Sequence, residues 1–221
     1  MKRLLQRIPK VALFLATNEK NGRDKLHGIL RYVRLHTPWN IHLLENRIGE
    51  QKLGDLRAWG ANGVVVARMP ESVHTVALAG VPTVVLDSPA LYARQLPEVS
   101  FVTCDSEVIG RAGAEFFVRQ GFRHFAYVGD TEPWDWSLLR CRAFCGRVAE
   151  AGATCAVYDG GGGGRKSDWA RDEKRLSRWL LELPKPCAVL AARDGRARQV
   201  LETCQLAGLD VPGDIALLGV D

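Results

Sequence analysis

The stretch that organises this chain is FVTCDSEVIGRAGAEFFVRQGFRHFAYVGD, residues 101–130, close to the middle of the 221-residue sequence. Its residues 102–104 are apolar and extended in character, and Asp105 can cap the N-terminus of a helix. The apolar residues that follow recur at helical spacing: Val108, Ala112, Phe116 and Phe117. Gly121 supplies the C-terminal stop. The pattern therefore predicts a strand edge followed by a helix.

A second strand follows that helix at residues 125–128 and ends at Gly129 and Asp130. An alternating strand and helix pattern lies on each side of the stretch. We therefore interpret residues 101–130 as the crossover between two similar lobes, and we expect a ligand cleft where the lobes meet.

The composition is that of an ordinary globular protein, with 47% hydrophobic and 25% charged residues. A chain of this length can bury a good core, either as one large domain or as two lobes. No apolar run approaches the roughly 18–20 residues that span a membrane. The apolar residues 11–16 follow a basic N-terminus, but Pro9 lies between them and no cleavage site follows. A first core strand is therefore favoured over a targeting segment, and we expect no membrane association.

The net charge is +5, and the densest basic run, at residues 165–178, is interleaved with acidic residues. This mixture favours a solvated helix face over a surface that binds nucleic acid. The six cysteines form no CxxC motif and no Cys/His pair at metal-ligand spacing, which indicates a reduced, cytoplasmic protein. Cys141 and Cys145 lie one turn apart on a predicted helix and are compatible with two buried thiols. The glycine run at residues 160–164 lacks the spacing of a phosphate loop, so we expect a mobile loop, no metal and no cofactor.

Strands and helices alternate along the whole chain. The further predicted strands are residues 10–16, 39–44, 63–67, 81–86, 153–158, 188–191 and 215–220. The further predicted helices are residues 23–35, 51–59, 71–78, 137–151, 168–183 and 195–207. The alternation predicts an α/β fold with doubly wound parallel sheets. One sheet of eight or nine strands is an alternative, but the internal repetition and the central crossover favour two sheets.

Polar side chains follow the predicted strands, at the edge where open α/β sheets bind ligands. They are Asn18, Arg68, Asp87, Asp105, Asp130, Asp194 and Asp221. Arg23 and Arg140 lie early in helices at the same edge, and three indoles lie in or beside loops: Trp134, Trp136 and Trp169. Carboxylates, amides and guanidinium groups suit sugar hydroxyls, and an indole face covers the apolar side of a pyranose ring. For each residue taken alone, helix capping or packing within its own lobe is an alternative.

An enzyme is not expected. The five histidines lie on predicted helices, within a strand or before a strand, and none pairs with a Ser or Cys in a nucleophile-elbow context. Paired carboxylates across the cleft are conceivable, but nothing in the sequence sets their separation.

Several blocks of the sequence resemble the sensor domains of the lactose-repressor and periplasmic-binding-protein-like family. GAEFFVRQGFRHFAYVGD (113–130) looks like the crossover and first C-lobe strand of that family, and VPGDIALLGVD (211–221) resembles a characteristic tail segment. The chain is more similar still to the bacterial xylose-operon regulators. The blocks that match these regulators in order are KVALFLATN (10–18), WDWSLLRCRAFCGRV (134–148), SDWARDEKRLSRWLLELPKP (167–186) and AARDGRARQVLETCQLAGLDVP (191–212).

The resemblance implies a set of sugar-binding residues. Arg140 takes the place of the family's hydroxyl-gripping arginine, Asp221 that of the Asp after the final strand, and Asp87 that of the N-lobe carboxylate. The remaining implied contacts are Asn18 and Arg23 in the first loop, Trp136 and Trp169 as aromatic walls, and Asp194 in the turn before a helix. One position departs from the family, because Arg193 stands where many members have Asn or Thr.

The resemblance also implies a domain organisation. The xylose-type regulators lack the N-terminal helix-turn-helix domain of other family members and carry their DNA-reading part at the C-terminus. This chain starts its first strand at Lys10 and stops at Asp221, before such a part and before the segment that completes the N-lobe. We therefore expect an N-terminal lobe at residues 1–103 and an incomplete C-terminal lobe at residues 104–221 of a C-terminally truncated, two-lobe sensor.

The expected function is the binding of a sugar effector, xylose or another pentose, in a transcriptional regulator of a sugar-utilisation operon. Sugar bound in the interlobe cleft would alter the binding of operator DNA by a domain outside this chain. A homodimer is a further option, because family members act as dimers, although no interface is recognisable in the sequence. The alternative is a transport-type sugar-binding protein of the same fold.

Overall fold

The computed structural model describes residues 8–18, 20–44, 50–67, 80–87, 96, 98–131, 134–158 and 169–220, and for residues 50–54 and 169–170 the backbone alone. The chain divides into two compact units, Met1–Cys104 and Asp105–Asp221. The predicted helix at residues 71–78 and the glycine run at residues 160–164 lie outside the described residues, as do Arg68 and Asp221. Of the helices that the structure describes, none is long and apolar enough to cross a lipid bilayer.

The first unit contains a five-stranded parallel sheet in the order β2-β1-β3-β4-β5. Its strands are β1 (Lys10–Phe14), β2 (Asn40–Leu44), β3 (Gly63–Ala67), β4 (Thr83–Leu86) and β5 (Ser100–Val102). Its described helices are α1 (Lys20–Leu35) and α2 (Glu50–Trp59). Strand β1 is almost wholly buried, as expected for a nearly continuous apolar run in a sheet that is covered on both faces.

The second unit contains a four-stranded parallel sheet in the order β7-β6-β8-β9. Its strands are β6 (His124–Val128), β7 (Cys155–Tyr158), β8 (Cys187–Ala191) and β9 (Ile215–Leu218). Its described helices are α3 (Ser106–Arg119), α4 (Asp135–Glu150), α5 (Trp169–Glu182) and α6 (Asp194–Leu206). Two separate sheets are therefore confirmed, and the alternative of one large sheet is wrong.

The core of the second unit has two layers because alternate strand residues point to opposite faces of the sheet. Val189 packs in one layer with Leu180 of α5 and Val200 of α6. Leu190 packs in the other layer with Phe117 of α3 and Phe144 of α4. Every residue of β8 is buried, so both faces of this central strand are covered by helices.

Helix α3 begins as predicted, because the Asp105 side chain accepts hydrogen bonds from the Glu107 and Val108 amides. The four apolar residues whose spacing predicted this helix do not together form its buried face. Val108 is 60% exposed, Phe116 is 50% exposed and Ala112 is exposed, whereas Phe117 is buried. The packed face consists instead of Ser106, Gly110, Gly113, Ala114 and Phe117. Glycines lie on the packed face because they let the α3 backbone approach its neighbours closely. The spacing of apolar residues in the sequence does not reveal such close packing.

Other differences lie at element boundaries. Strand β5 covers Ser100–Val102 rather than residues 102–104, since Thr103 and Cys104 are exposed and lead into the α3 cap. Helix α1 begins at Lys20 rather than at Arg23. The order and type of the remaining described elements agree with the sequence-based prediction.

Candidate functional site

The second unit concentrates polar side chains at the carboxyl edge of its sheet. Because β6 and β8 are parallel neighbours, the residues that follow them, Asp130 and Arg193, lie side by side. Arg193 Nε donates to Asp130 Oδ2 at 2.5 Å, with side-chain exposures of 39% for Arg193 and 3% for Asp130. The site therefore holds a buried carboxylate beneath a partly exposed guanidinium.

The backbone and side chain around Asp130 fix that carboxylate in place. Its Oδ1 accepts from the Thr131 amide at 2.7 Å and from the Thr131 hydroxyl at 3.2 Å. The Asp130 amide donates to Ser137 Oγ at 3.3 Å, and the Tyr127 hydroxyl donates to the Ser137 carbonyl at 2.9 Å. Burial raises the pKa of Tyr127, so this hydroxyl keeps its proton and its donor role at neutral pH.

Arg140 reaches the same edge from α4. It is 9% exposed, and its Nη1 donates to the Ala192 carbonyl at 2.6 Å, directly before Arg193. Its guanidinium lies 4.8 Å from the centre of the Trp136 ring, a cation–π geometry. The structure thus brings together Arg140 and Trp136, two of the predicted site residues.

A second buried arginine lies at this edge and was missed by sequence reasoning. Arg196 of α6 is 2% exposed; its Nε donates to the Gly129 carbonyl at 3.0 Å and its Nη1 to Asp172 Oδ2 at 2.7 Å. The Tyr158 hydroxyl donates to the other Asp172 oxygen at 2.7 Å. This network ties the ends of β6 and β7 to α5 and α6. The interleaved charges of residues 165–178 predicted a solvated face, and the basic residues around Asp172 hid its burial.

Three predicted site residues of the second unit remain, and the structure describes the side chain of only one of them, Asp194. Asp194 is exposed at the first position of α6, and its amide donates to the Val220 carbonyl at 2.7 Å. A Cβ on Gly219 would collide with Oδ1 of Asp194, so these two segments are in close contact. Asp194 is thus held against the segment that leads to Asp221. The Trp169 side chain and Asp221 lie outside the described residues.

In the first unit, the Arg23 side chain contacts the backbone of the loop that contains Asn18. Arg23 Nη1 donates to the Thr17 carbonyl at 3.1 Å and to the Asn18 carbonyl at 3.0 Å. Gly22 packs so tightly on the segment that follows β1 that a Cβ there would collide with the Ala16 carbonyl. Arg23 therefore stabilises the loop that carries the exposed Asn18 side chain.

Asp87 directly follows β4 and has a left-handed backbone conformation, with φ of 55°. Its carboxylate forms an ion pair with Lys25 of α1, and both side chains are about four-fifths buried (22% and 21% exposed). A non-glycine residue with positive φ is strained by an amount that the surrounding contacts must offset, and such residues cluster at functional sites. No sequence pattern linked Lys25 to Asp87, because the two are separated by 62 residues.

The groups at the carboxyl edge of the second sheet can donate to and accept from several hydroxyls of a neutral polar ligand. The paired charges Asp130–Arg193 and Asp172–Arg196 leave little net charge at the edge of the second sheet, and the indole of Trp136 adds an apolar face. Among the residues that the structure describes, no three His, Cys, Asp or Glu side chains are grouped so as to hold a metal ion.

Two parallel-sheet units with polar groups at a carboxyl edge define an α/β fold. Residues 114–221 match the family model of the periplasmic binding protein-like domain. Over 216 residues, 96% of its length, the chain is homologous to the xylose operon regulatory protein of Escherichia coli, with 24% identity.

Solved structures show the same fold. That of the xylose-binding transcription activator xylR superposes with a TM-score of 0.80 at 24% identity, covering 99% of this chain and 55% of that one. A LacI family transcriptional regulator from Mycobacterium smegmatis superposes with a TM-score of 0.71 at 23% identity, covering 95% of this chain and 77% of that one. The chain spans about half the length of the curated relatives it matches, 54% for the Escherichia coli protein.

Proposed function

We propose that this chain is the effector-binding part of a DNA-binding transcriptional regulator of a sugar-utilisation operon, and that its effector is xylose or another pentose. Similarity to a xylose operon regulatory protein along 96% of the chain supports the proposal. In this proposal residues 1–103 and 104–221 act as the two lobes of the sensor.

The observation that carries the proposal is the arrangement of Asp130, Arg193 and Arg140 at the carboxyl edge of the second sheet. Sugar hydroxyls each offer one donor and two acceptor sites, so a rigid set of carboxylate and guanidinium groups can fix their directions. The buried hydrogen bonds of Asp130 and Arg140 hold these groups in place before a ligand arrives, which lowers the entropic cost of binding.

The proposed ligand contacts are Asn18, Arg23, Asp87, Trp136, Arg140, Trp169, Asp194 and Asp221. For Arg23 we propose a role in holding the loop that presents Asn18, supported by its hydrogen bonds to the Thr17 and Asn18 carbonyls. We also propose Asp130 and Arg193 as members of the set, with Lys25 as the residue that positions Asp87.

Sugar binding would alter DNA binding by changing the populations of two conformations of the sensor. A sugar shifts a conformational equilibrium only by its differential affinity for the two states. Operator DNA would be bound by a domain outside this chain, in the cytoplasm, and the protein would bind its sugar without converting it. We also propose that the regulator forms a homodimer.

Calorimetric titration of the purified protein with D-xylose, L-arabinose, D-ribose and D-glucose tests the proposal. We expect heat from at least one pentose, and loss of that heat in Arg193→Ala but not in Arg198→Ala, an exposed arginine on the same helix. Absence of heat and of any thermal shift with every sugar would contradict the proposal.

A transport-type sugar-binding protein shares this fold and is the second candidate. The coding sequence on the C-terminal side of Asp221 distinguishes the two, because a helix-turn-helix domain encoded there excludes a transport role. In a gel-shift assay of the product of the whole reading frame, a pentose should change the affinity for operator DNA.

A further inference from the structure

Helix α3 presents an apolar ridge on its solvent-exposed face. Val108 is 60% exposed, Phe116 is 50% exposed, and Ala112, which lies between them, is exposed too. These residues are spaced by four positions, so they form one row along the helix. Single exposed apolar residues are ordinary, as at Leu35 and Leu206 at the ends of α1 and α6. A row of them in the body of a helix favours a surface that packs against a partner.

The two ends of this ridge carry opposite charges. Arg119, at the C-terminal end of α3, is 76% exposed and forms an ion pair with Glu115 at 3.1 Å. Asp105, at the N-terminal end, is exposed as well. At about 100° per residue, both lie within the arc of the helix surface that the ridge occupies. Asp105 caps α3 through Oδ1 alone, which leaves Oδ2 for a cation from outside the helix.

We propose that the ridge of Val108, Ala112 and Phe116 is the surface through which a second copy of this chain packs, as an antiparallel pair of α3 helices that cross at Ala112. Positions 108 and 116 are equidistant from 112, as are 105 and 119. A two-fold axis at Ala112 therefore places Val108 of each copy near Phe116 of the other, and Asp105 of each copy near Arg119 of the other. The inference rests on the homodimer of the proposed function and names its surface.

Charge and size favour this arrangement over a parallel one. Parallel helices would bring Asp105 beside Asp105 and Arg119 beside Arg119, and like charges repel, whereas antiparallel helices also align their dipoles favourably. The small Ala112 side chain lets the helix axes approach to the roughly 8 Å of close packing. Arg119 has five N–H donors, so it can keep Glu115 while it contacts a second carboxylate.

The size of the surface sets the expected strength of the dimer. One helix from each copy is a small interface compared with the roughly 1,200–2,000 Å² that stable complexes bury. We therefore expect a reversible dimer whose fraction rises with protein concentration.

Cross-linking at the proposed two-fold axis tests the geometry. Ala112→Cys is made in a Cys104→Ser background, because Cys104 is the exposed native cysteine. Two thiols on the axis lie within disulfide distance, so mild oxidation should give a covalent dimer on a non-reducing gel. Leu206→Cys in the same background is the control, because it is exposed on α6 and should remain monomeric. Equal cross-linking of the two variants would overturn the proposal.

Sedimentation equilibrium tests the contacts. Phe116→Ser should raise the dissociation constant of the dimer by at least about tenfold, because a two-fold interface loses two phenyl rings at once. Leu206→Ser is its control and should leave the constant unchanged. Asp105→Asn keeps the helix cap and removes the charge, so it should weaken the dimer about threefold at low salt and not at high salt. Glu107→Gln, in the same turn of α3 but off the ridge, should have no effect.

The outcomes separate this inference from sugar binding and from other occupants of the surface. Dimerisation and the heat of pentose binding are measured on the same samples, so failure of one is distinguishable from failure of the other. A chain that is monomeric at all concentrations, or a dimer that Phe116→Ser and Asp105→Asn leave unchanged, would refute the proposed surface. Should Phe116→Ser fail to fold, the cross-link and Asp105→Asn still decide.

The cross-link is repeated in the product of the whole reading frame. We expect the covalent dimer there as well. Its loss would assign this face of α3 to another segment of the same polypeptide and would overturn the proposal.

Discussion

Arg193 and Asp130 join the ends of two neighbouring strands although they are 63 residues apart in the sequence. The carboxylate is 3% exposed and its partner 39%, so one member of the pair is buried and the other faces outward. A buried carboxylate needs a partner or several hydrogen bonds, because its desolvation would otherwise oppose folding. The outward-facing guanidinium faces solvent on its other side, where we propose that the ligand binds.

Arg193→Ala should lower the free energy of unfolding. Asp130 would retain its Thr131 hydrogen bonds and lose its cationic partner, at a cost of about 1–2 kcal/mol because the arginine is partly screened by solvent. Urea unfolding at neutral pH measures the change. The matched control Arg198→Ala, exposed on α6, should stay within about 0.5 kcal/mol of the native protein. Equal effects of the two variants would refute the importance of the ion pair.

Arg140→Lys should weaken pentose binding by about 1.5–3 kcal/mol, the scale of hydrogen bonds to a charged group, since lysine lacks the planar fork of arginine. Arg140→Ala should do the same. Arg140 also donates to the Ala192 carbonyl and contacts Trp136, so the alanine variant should lose stability as well. Calorimetry and urea unfolding of both variants separate the two effects. Unchanged affinity in the folded lysine variant would remove Arg140 from the proposed site.

Asp172→Asn should destabilise the second unit strongly. Asp172 pairs with Arg196, whose side chain is 2% exposed, and accepts from the Tyr158 hydroxyl. Removing one member of a buried ion pair costs about 3–5 kcal/mol, because the other charge is left without compensation. Glu182→Gln, at the exposed end of the same helix, is the control. An unfolding midpoint equal to that of the control would contradict a structural role for the network.

Two glycine-to-alanine substitutions should change the free energy of unfolding in opposite directions. A Cβ on Gly110 of α3 would collide with the Arg140 carbonyl, so Gly110→Ala must push α3 away from α4 and should cost about 1–3 kcal/mol. Nothing lies within 4 Å of a Cβ on Gly146 of α4. Gly146→Ala should therefore stabilise the helix by about 0.5–1 kcal/mol. Thermal and urea unfolding of the pair are the measurements, and a stabilised Gly110→Ala would disprove the close approach of α3 to α4.

Acid should weaken the link between α3 and α4 at Glu115. Hydrogen bonds from Arg147 and Arg119 lower the pKa of Glu115 below its ordinary value of 4.5. A carboxylate with a lowered pKa in the folded state stabilises the protein above its unfolded pKa. That contribution is lost as the pH falls through the folded pKa. Glu115→Gln should therefore reduce stability at neutral pH and flatten its decline below pH 4.5.

The control for this pH dependence is Glu202→Gln, an exposed glutamate on α6. It should retain the acid-induced decline of the native protein. High salt should diminish the difference between Glu115→Gln and the native protein, since the Glu115 side chain is 35% exposed and its ion pairs are screened. An unaltered slope in Glu115→Gln would assign the acid sensitivity to other groups.

Local pattern alone predicted much of the fold. The apolar run of β1, the cap at Asp105 and the alternation of strands and helices are properties of neighbouring residues, so they can be recognised without the third dimension. The buried face of α3 was not predictable in this way. Gly110 and Gly113 decide that face through close contact with Arg140 and Leu190, which follow in the chain by tens of residues.

The candidate site likewise has features that the sequence predicted and features that only the fold determined. The chain's own order of residues placed Asp87, Asp130 and Asp194 after strands, and parallel pairing then put such residues at one edge of each sheet. Which charge neutralises which carboxylate, Lys25 for Asp87 and Arg193 for Asp130, depended on strand order and helix packing. Strands and helices can be predicted from the sequence because their patterns involve residues that are close in the chain. Ion-pair partners cannot, because they are brought together only when the chain folds.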